Sequence, residues 1–247
     1  MGALLVTLAV AGTVMHLAFT WGLARPPASP VPDRAAYFAR WSALHGGYDP
    51  ADNVWVRGWL SVAYALARPL ARRGVHPDLL TGATVWLALV ALATAEAGGR
   101  WPLLGVVALV ASGLGDAVDG AVATLTERAT RWGYVLDSLI DRVTDVLFVA
   151  ALWRLGAPLE LAAASAVIAL LLDYLRARAS NAGAGEIGTI TVGERATRVI
   201  LAALGLLAAG VAPAAAASLA TASVAVLSVL LLAGLVHLLV AVHGRVR

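Results

Sequence analysis

The sequence predicts an all-α membrane protein of several spans, and three observations predict it. Hydrophobic residues make up 60% of the chain and charged residues only 13%, with a mean hydropathy of +0.83, whereas a soluble domain carries about 25% charged residues. Apolar stretches of about 20 residues, the length that crosses hydrocarbon as a helix, recur along the chain. The basic residues fall on alternate connections between those stretches, as the positive-inside bias requires of a polytopic protein. The expected architecture is a polytopic helical bundle, with a six-span core preceded by an interfacial amphipathic helix and an extra N-terminal hydrophobic helix. The 247 residues include no cysteine, which excludes disulfides and thiolate metal sites, and every basic residue counted among the 18 is arginine.

The elements follow in order. Ala3–Leu23 is an apolar run with no basic residue before it and Arg25, Arg34 and Arg40 after it. A signal peptide needs a basic n-region, so residues 1–24 are expected to be a retained transmembrane anchor. Residues 25–52 contain Pro26, Pro27, Pro30, Pro32, Pro50 and the Gly46-Gly47 pair, and they read as a cytoplasmic linker. Val54–Arg73 is apolar with Arg57, Arg68, Arg72 and Arg73 interspersed and Trp55 and Trp59 one turn apart. That is the pattern of a helix lying in an anionic membrane surface. A domain over 53–247 is then expected, with its interfacial helix at 54–73 and six spans between 79 and 242. The spans are Leu79–Ala97, Pro102–Leu125, Gly133–Leu155, Leu159–Ala179, Thr197–Ala212 and Ala215–Val242.

Orientation follows from the arginines. One side of the membrane holds Arg72 and Arg73, Arg128 and Arg131, Arg178 and Arg195, and Arg245 and Arg247; the other holds Arg100 and Arg154. The richer side is the cytoplasm. The plasma membrane is the expected location, with membrane lipids as surroundings and no nucleic acid as partner. The five histidines, His45 among them, have no paired ligand spacing beyond His237 and His243 near the C-terminus and receive no role.

Against this apolar background, Gly115–Asp145 carries Asp116, Asp119, Asp137, Asp141 and Asp145. Ionised carboxylates cost several kcal/mol each in hydrocarbon, so such a cluster needs countercharge, water or both. Spacings of i, i+3 and i, i+4 put Asp116 with Asp119, and Asp137 with Asp141, on one face of each of two consecutive helices. The short loop between those helices lets both pairs converge near the cytoplasmic surface. Asp oxygens suit Mg²⁺ or Mn²⁺, and two such ions are the usual device for making or breaking phosphoric esters. Gly120, Ala121 and Ala123 beside the first pair, and Gly133 before the second, leave room for a phosphate.

The string Asp116-x₂-Asp119-Gly120-x₂-Ala123-Thr124-x₈-Gly133-x₃-Asp137-x₃-Asp141 resembles the signature of the CDP-alcohol phosphotransferases, DxxDGxxARx₈GxxxDxxxD. Every spacing agrees and Thr124, where the family has Arg, is the single departure. The resemblance covers roughly Val54–Arg247. It implies transfer of a substituted phosphate from a CDP-linked donor, typically CDP-diacylglycerol, to an alcohol with release of CMP. It further implies that Asp116, Asp119 and Asp137 hold the metals and that Asp141 both touches a metal and acts as general base. Asp145 lies outside the signature and is expected to pair with an arginine, Arg142 being the nearest in sequence. The arginine missing at 124 leaves three readings open: Arg128 or Arg131, one or two turns on, substitutes for it, donor affinity is lower, or the substrate has drifted. A homodimer is also implied.

Two further groups complete the reading. His76-Pro77-Asp78-Leu79-Leu80-Thr81 resembles the family's P-[ND]-x-x-T motif, which implies a donor-nucleotide role for Asp78 or Thr81 alongside Gly120, Ala123 and Gly133. Arg176 and Arg178, with Arg195 and Arg198, flank one cytoplasmic loop and suit an acceptor phosphate, since arginine forks match phosphate oxygens. Their pattern resembles the branch that makes phosphatidylinositol phosphate, so inositol phosphate is the expected acceptor, with glycerol phosphate or another alcohol as the alternative. Asp173 does not suit that branch. A cation-coupled transporter would also place carboxylates in the membrane, but it does not account for the long fixed spacing. A prenyl-transfer enzyme would use a DDxxD-like run, which this chain lacks.

Overall fold

The computed structural model describes residues 1–27, 30–44, 46–184 and 191–246; His45 and Arg247 lie outside them. The described residues form helices and no strand. The helices are α1 (Gly2–Leu23), α2 (Arg34–Leu44), α3 (Val54–Arg73), α4 (Pro77–Ala97), α5 (Pro102–Thr126), α6 (Arg131–Arg154), α7 (Leu159–Ala179), α8 (Arg195–Val211) and α9 (Ala216–Arg245). A helix therefore stands at each of the six positions expected after residue 78. Among the described residues, α1, α4, α5 and α9 are long and apolar enough to cross a membrane by length and composition. Helices α6 and α7 carry charged side chains along their length, and α8 has 17 residues.

Two compact units divide the chain. The first comprises Val10–Leu87 and Ala111–Asp141. Its core sets Tyr37 of α2 among Leu60, Ala63, Tyr64, Ala67 and Ala71 of α3 and Val118, Ala121, Val122 and Leu125 of α5. Helix α3 begins where the Asn53 side chain accepts from the N–H groups of Trp55 (2.9 Å) and Val56 (3.3 Å), an N-cap. It ends at Gly74, whose φ of 76° is left-handed and suits a C-cap. A Cβ at Gly74 would stand 1.5 Å from the Arg25 carbonyl oxygen, so glycine is required there twice over. The buried stripe Leu60–Ala63–Tyr64–Ala67–Ala71 takes one face of α3, while Trp55, Trp59, Val62 and Leu66 form a second apolar stripe that is exposed. Two apolar faces separated by arginines fit a helix between protein and lipid.

Helix α2 is the departure from the sequence reading, which assigned residues 25–52 to a linker. Asp33 caps it, accepting from the Ala36 N–H at 2.9 Å. Tyr37, Phe38 and Trp41 pack it into the core shared with α3. Prolines on either side conceal an eleven-residue amphipathic helix.

The second unit comprises Met1–Ala9, Ala88–Val110 and Arg142–Arg247. Its core joins Phe148 and Leu152 of α6, Leu206 and Ala209 of α8, and Ala220 and Val224 of α9. Small residues allow this approach: a Cβ at Gly205 would meet Leu152 Cδ2 at 2.6 Å and Ser223 Oγ at 2.8 Å.

Candidate active site

The C-terminal part of α5 and the N-terminal part of α6 meet across residues 127–130. Helix α5 closes with the Arg128 N–H donating to the Ala123 carbonyl at 3.0 Å and with Glu127 at a left-handed φ of 56°. This tight reversal brings the carboxylates together. Asp116, Asp137 and Asp141 each offer an oxygen, and these atoms lie within 4.8 Å of one another. All three line an open cavity of ≈ 770 Å³.

Asp119 lines the same cavity in a different state. It is 5% exposed, and Thr81 Oγ1 donates to its Oδ2 at 2.5 Å. The four expected ligands are thus a triad plus one carboxylate held by a hydroxyl from α4. Thr81 faces Asp119, and Asp78 lies on the wall beside Gly133, where an added Cβ would come 3.4 Å from Asp78 Oδ1. Gly120 is exposed to the cavity, and an added Cβ there would meet nothing within 4 Å. Gly120, Ala123 and Gly133 all line the space, as do Asp78 and Thr81.

Another stretch of the wall is apolar and aromatic: Trp55, Val56, Trp59, Leu60 and Ala63 from α3, and Tyr37 and Trp41 from α2. Burial pushes the Tyr37 phenol up to about 12, so this ring is a neutral surface at ordinary pH. The α2 residues were missed in the sequence because they lie outside the signature. The aromatic pair at i, i+4 in RAAYFARWSAL was the available signal.

Three hard carboxylate oxygens on one cavity wall suit a divalent cation of the Mg²⁺ or Mn²⁺ kind, and without countercharge they would repel one another. The donor set therefore fits the metal that the aspartate spacing predicts.

The arginine group belongs to the second unit. Arg198 is 4% exposed. Its Nη1 lies 2.6 Å from Asp145 Oδ2 and 2.6 Å from Asp173 Oδ2, and its Nε donates to the Gly193 carbonyl at 3.0 Å. The expected Asp145–Arg142 pair is thereby corrected: Arg142 pairs with Asp173, and Asp145 with Arg198. Asp145 and Arg142 are only three residues apart, but the arginine that Asp145 binds comes from α8. Asp173 is the bridge between Arg142 and Arg198, which explains a carboxylate that seemed out of place in the sequence. Arg195 Nη2 donates to Thr144 Oγ1 at 3.2 Å. Arg176 pairs with Glu194 at 2.6 Å, and Glu194 also accepts from the Thr191 N–H and hydroxyl at 2.8 and 2.9 Å. Arg178 is exposed.

Residues 74–242 match the CDP-alcohol phosphatidyltransferase family model. The chain belongs to this family. It is an integral membrane transferase, as its helices and its relatives agree. It is 33% identical to the archaetidylinositol phosphate synthase of Methanothermobacter thermautotrophicus over 151 residues, 57% of this chain and 75% of that one. It is also 33% identical to the phosphatidylinositol phosphate synthase of Corynebacterium glutamicum over 153 residues, 57% of this chain and 67% of that one. Among solved structures it resembles Mycobacterium tuberculosis phosphatidylinositol phosphate synthase with CDP-DAG bound, at a TM-score of 0.56 and 27% identity, covering 74% of this chain and 94% of that one.

Proposed function

We propose that this transferase moves a phosphatidyl group from CDP-diacylglycerol to inositol phosphate and releases CMP. The observation that carries the reading is the Asp116–Asp137–Asp141 triad on the wall of a cavity that also presents aromatic and aliphatic side chains from α2 and α3. A polar diphosphate with a lipid tail needs such a mixture of surfaces. The names of the relatives support the substrate pair: two are synthases of inositol-phosphate lipids, and the structural neighbour holds CDP-DAG.

Asp116, Asp137 and Asp141, with Asp119 beside them, would hold the divalent ions, which we assign as two of Mg²⁺ or Mn²⁺. When bound, such ions neutralise the donor diphosphate and polarise its phosphorus. Asp141 takes the proton of the acceptor hydroxyl. The acceptor oxygen forms its bond to the phosphatidyl phosphorus, and the bond from that phosphorus to the CMP oxygen breaks, with the electron pair leaving on CMP. Thr81 fixes the orientation of Asp119, and Asp78, Gly120, Ala123 and Gly133 border the space assigned to the nucleotide and diphosphate.

The acceptor phosphate is assigned to Arg176, Arg178, Arg195 and Arg198. Arg178 is the most accessible of these, being exposed, whereas Arg198 is engaged by two carboxylates and a carbonyl and Arg176 by Glu194. The domain plan proposed is an anchor at 1–24, a connecting segment at 25–52 and the transferase domain at 53–247. That domain has six spans, as a homodimer in the plasma membrane with the cavity toward the cytoplasm. The arginine distribution supports the orientation.

The test is CMP release from CDP-diacylglycerol by the purified full chain, with inositol phosphate, glycerol phosphate, serine or phosphatidylglycerol as acceptor. Release is expected with inositol phosphate, to be lost on chelation and restored by Mg²⁺ or Mn²⁺. Release with glycerol phosphate alone would change the assigned acceptor. No release with any acceptor would remove the reaction.

A further inference from the structure

A second open cavity, of ≈ 720 Å³, lies where the end of α1 meets α3. Trp21 and Pro26 form one side of it, and Ala65, Arg68, Arg72 and Arg73 of α3 form the other. Ala65, Arg68 and Arg72 share one face of that helix by their i, i+3, i+7 spacing. None of these residues lines the aspartate cavity, and none falls within the family match at 74–242. Two hydrogen bonds fix the junction. His16 Nε2 donates to the Leu79 carbonyl at 2.7 Å, and the Arg25 N–H donates to the Gly74 carbonyl at 3.3 Å.

Three guanidiniums border this cavity, and among the described residues none of them has a carboxylate partner, whereas Arg40, Arg142, Arg154, Arg176 and Arg198 each have one. Aromatic rings hold two of the three instead. Arg73 Cζ lies 4.0 Å from the ring centroid of Trp21, and Arg68 Cζ lies 5.8 Å from that of Tyr64, within cation–π range. Arg68 is half-buried, and its Nε is enclosed without a hydrogen-bond partner among the described residues. A helix C-terminus favours cations, which accounts for Arg72 and Arg73 in the last turn of α3. It does not account for Arg68 a turn earlier, for its enclosed donor, or for the ring laid against Arg73. Like charges one turn apart on a helix repel, and an anion between them offsets that repulsion.

We propose that this cavity binds the phosphate of an anionic phospholipid, with Arg68, Arg72 and Arg73 as its donors and Trp21 as a wall. Guanidinium forks match phosphate oxygens. A lipid fits better than a soluble phosphate for two reasons. Helix α1 is long and apolar enough to cross a membrane, and Trp21 stands in its last turn, the level at which tryptophan meets phospholipid headgroups. Val62 and Leu66, within one turn of Ala65 on α3, are exposed apolar surface of the kind that acyl chains cover. A lipid held there bridges the end of α1 to α3. The inference does not depend on the phosphotransferase reading, because no group of the candidate active site takes part in it.

The chain has no cysteine, so Ala24→Cys places a single thiol on the cavity wall. The experiment is the rate at which N-ethylmaleimide labels that thiol in the full chain, in nanodiscs of phosphatidylcholine with and without phosphatidylglycerol. One basic residue beside anionic lipid is worth about fivefold in binding, so phosphatidylglycerol should slow labelling by about fivefold or more. Arg68→Gln and Arg72→Gln, added singly, should each bring labelling back to within about twofold of the rate without phosphatidylglycerol. Trp21→Leu changes no charge and should reduce the protection in the same sense. Arg57→Gln is the control: Arg57 lies about 16 Å from Arg68 along the α3 axis, beyond a Debye length of about 10 Å, and its loss should leave the protection intact. Arg72 is exposed, so Arg72→Gln reads the charge even if Arg68→Gln fails to fold. Protection that survives both arginine substitutions, or that Arg57→Gln removes equally, would be a general effect of the charged surface and would overturn the inference. So would the absence of protection in the chain carrying Ala24→Cys alone. Millimolar inorganic phosphate in phosphatidylcholine discs should leave labelling unchanged; equal slowing by phosphate would overturn the lipid as the ligand.

Discussion

Arg198 offers the sharpest test of how the intramembrane charges are distributed. Its side chain is 4% exposed and bridges Asp145, 5% exposed, and Asp173, 20% exposed, at 2.6 Å each. Replacing it with methionine keeps the stem but leaves both carboxylates without that partner. Removing one member of a buried ion pair typically costs about 3–5 kcal/mol. Asp173 retains Arg142, which moderates its share. Asp145 retains Arg195, whose Nε lies 3.8 Å from Oδ1, beyond hydrogen-bond reach. The expected loss for Arg198→Met is therefore about 3 kcal/mol, roughly a hundredfold or more in the ratio of folded to unfolded protein. Arg176→Met is the control. That ion pair has side chains 30% and 33% exposed, and pairs of this kind contribute about 0–1 kcal/mol.

The assay is reversible unfolding in mixed detergent micelles, with the double variant Asp145→Asn with Arg198→Met measured beside the single ones. The double variant should lose less than the sum of the two, because neutralising Asp145 removes the charge that Arg198→Met strands. Acceptor KM should be measured on the same preparations. An Arg198→Met variant of wild-type stability would refute the reasoning whatever its acceptor KM, since the two stranded carboxylates would then cost nothing. An equal loss in Arg176→Met would refute it from the other side.

Two further expectations concern the other unit. Asp141→Asn should leave the fold and the thermal transition unchanged and lower kcat by about 10²-fold or more, the scale of a lost general base; near-normal turnover would remove Asp141 from that role. Gly74→Ala should destabilise by more than the roughly 1–2 kcal/mol of a left-handed backbone alone, because its Cβ would stand 1.5 Å from the Arg25 carbonyl; a transition within about 1 °C of wild type would show that residues 24–27 lie elsewhere.

What the sequence made legible is what repeats locally. Apolar runs bounded by Pro77, Pro102 and Gly74 located the helices to within a few residues, because those residues act on their own neighbours. The i, i+3 and i, i+4 spacings located the carboxylates on helix faces for the same reason. Pairings across long separations were not legible. Asp145 finds Arg198, 53 residues away, in preference to Arg142 on its own helix, and Asp119 finds Thr81, 38 residues away. Helix α2 was concealed differently. Its flanking prolines resemble a linker, and the reason its aromatics are buried lies on α3, not in its own eleven residues.

Helix α6 shows why those long pairings matter for function. Asp137, Asp141 and Asp145 follow one another at intervals of one turn, and pattern alone treats them alike. Their surroundings do not. Asp145 is buried against an arginine that neutralises it, whereas Asp137 and Asp141 stay partly exposed on a cavity wall with Asp116 close by. A carboxylate with its own guanidinium has little left to offer a cation. Three that share a wall and lie within 4.8 Å gain most from one, since each added negative charge raises the cost of the others. The same residue type on the same helix thus becomes a structural ion pair at one turn and a candidate metal ligand at the turn before. The side chain supplied from a distant helix decides which.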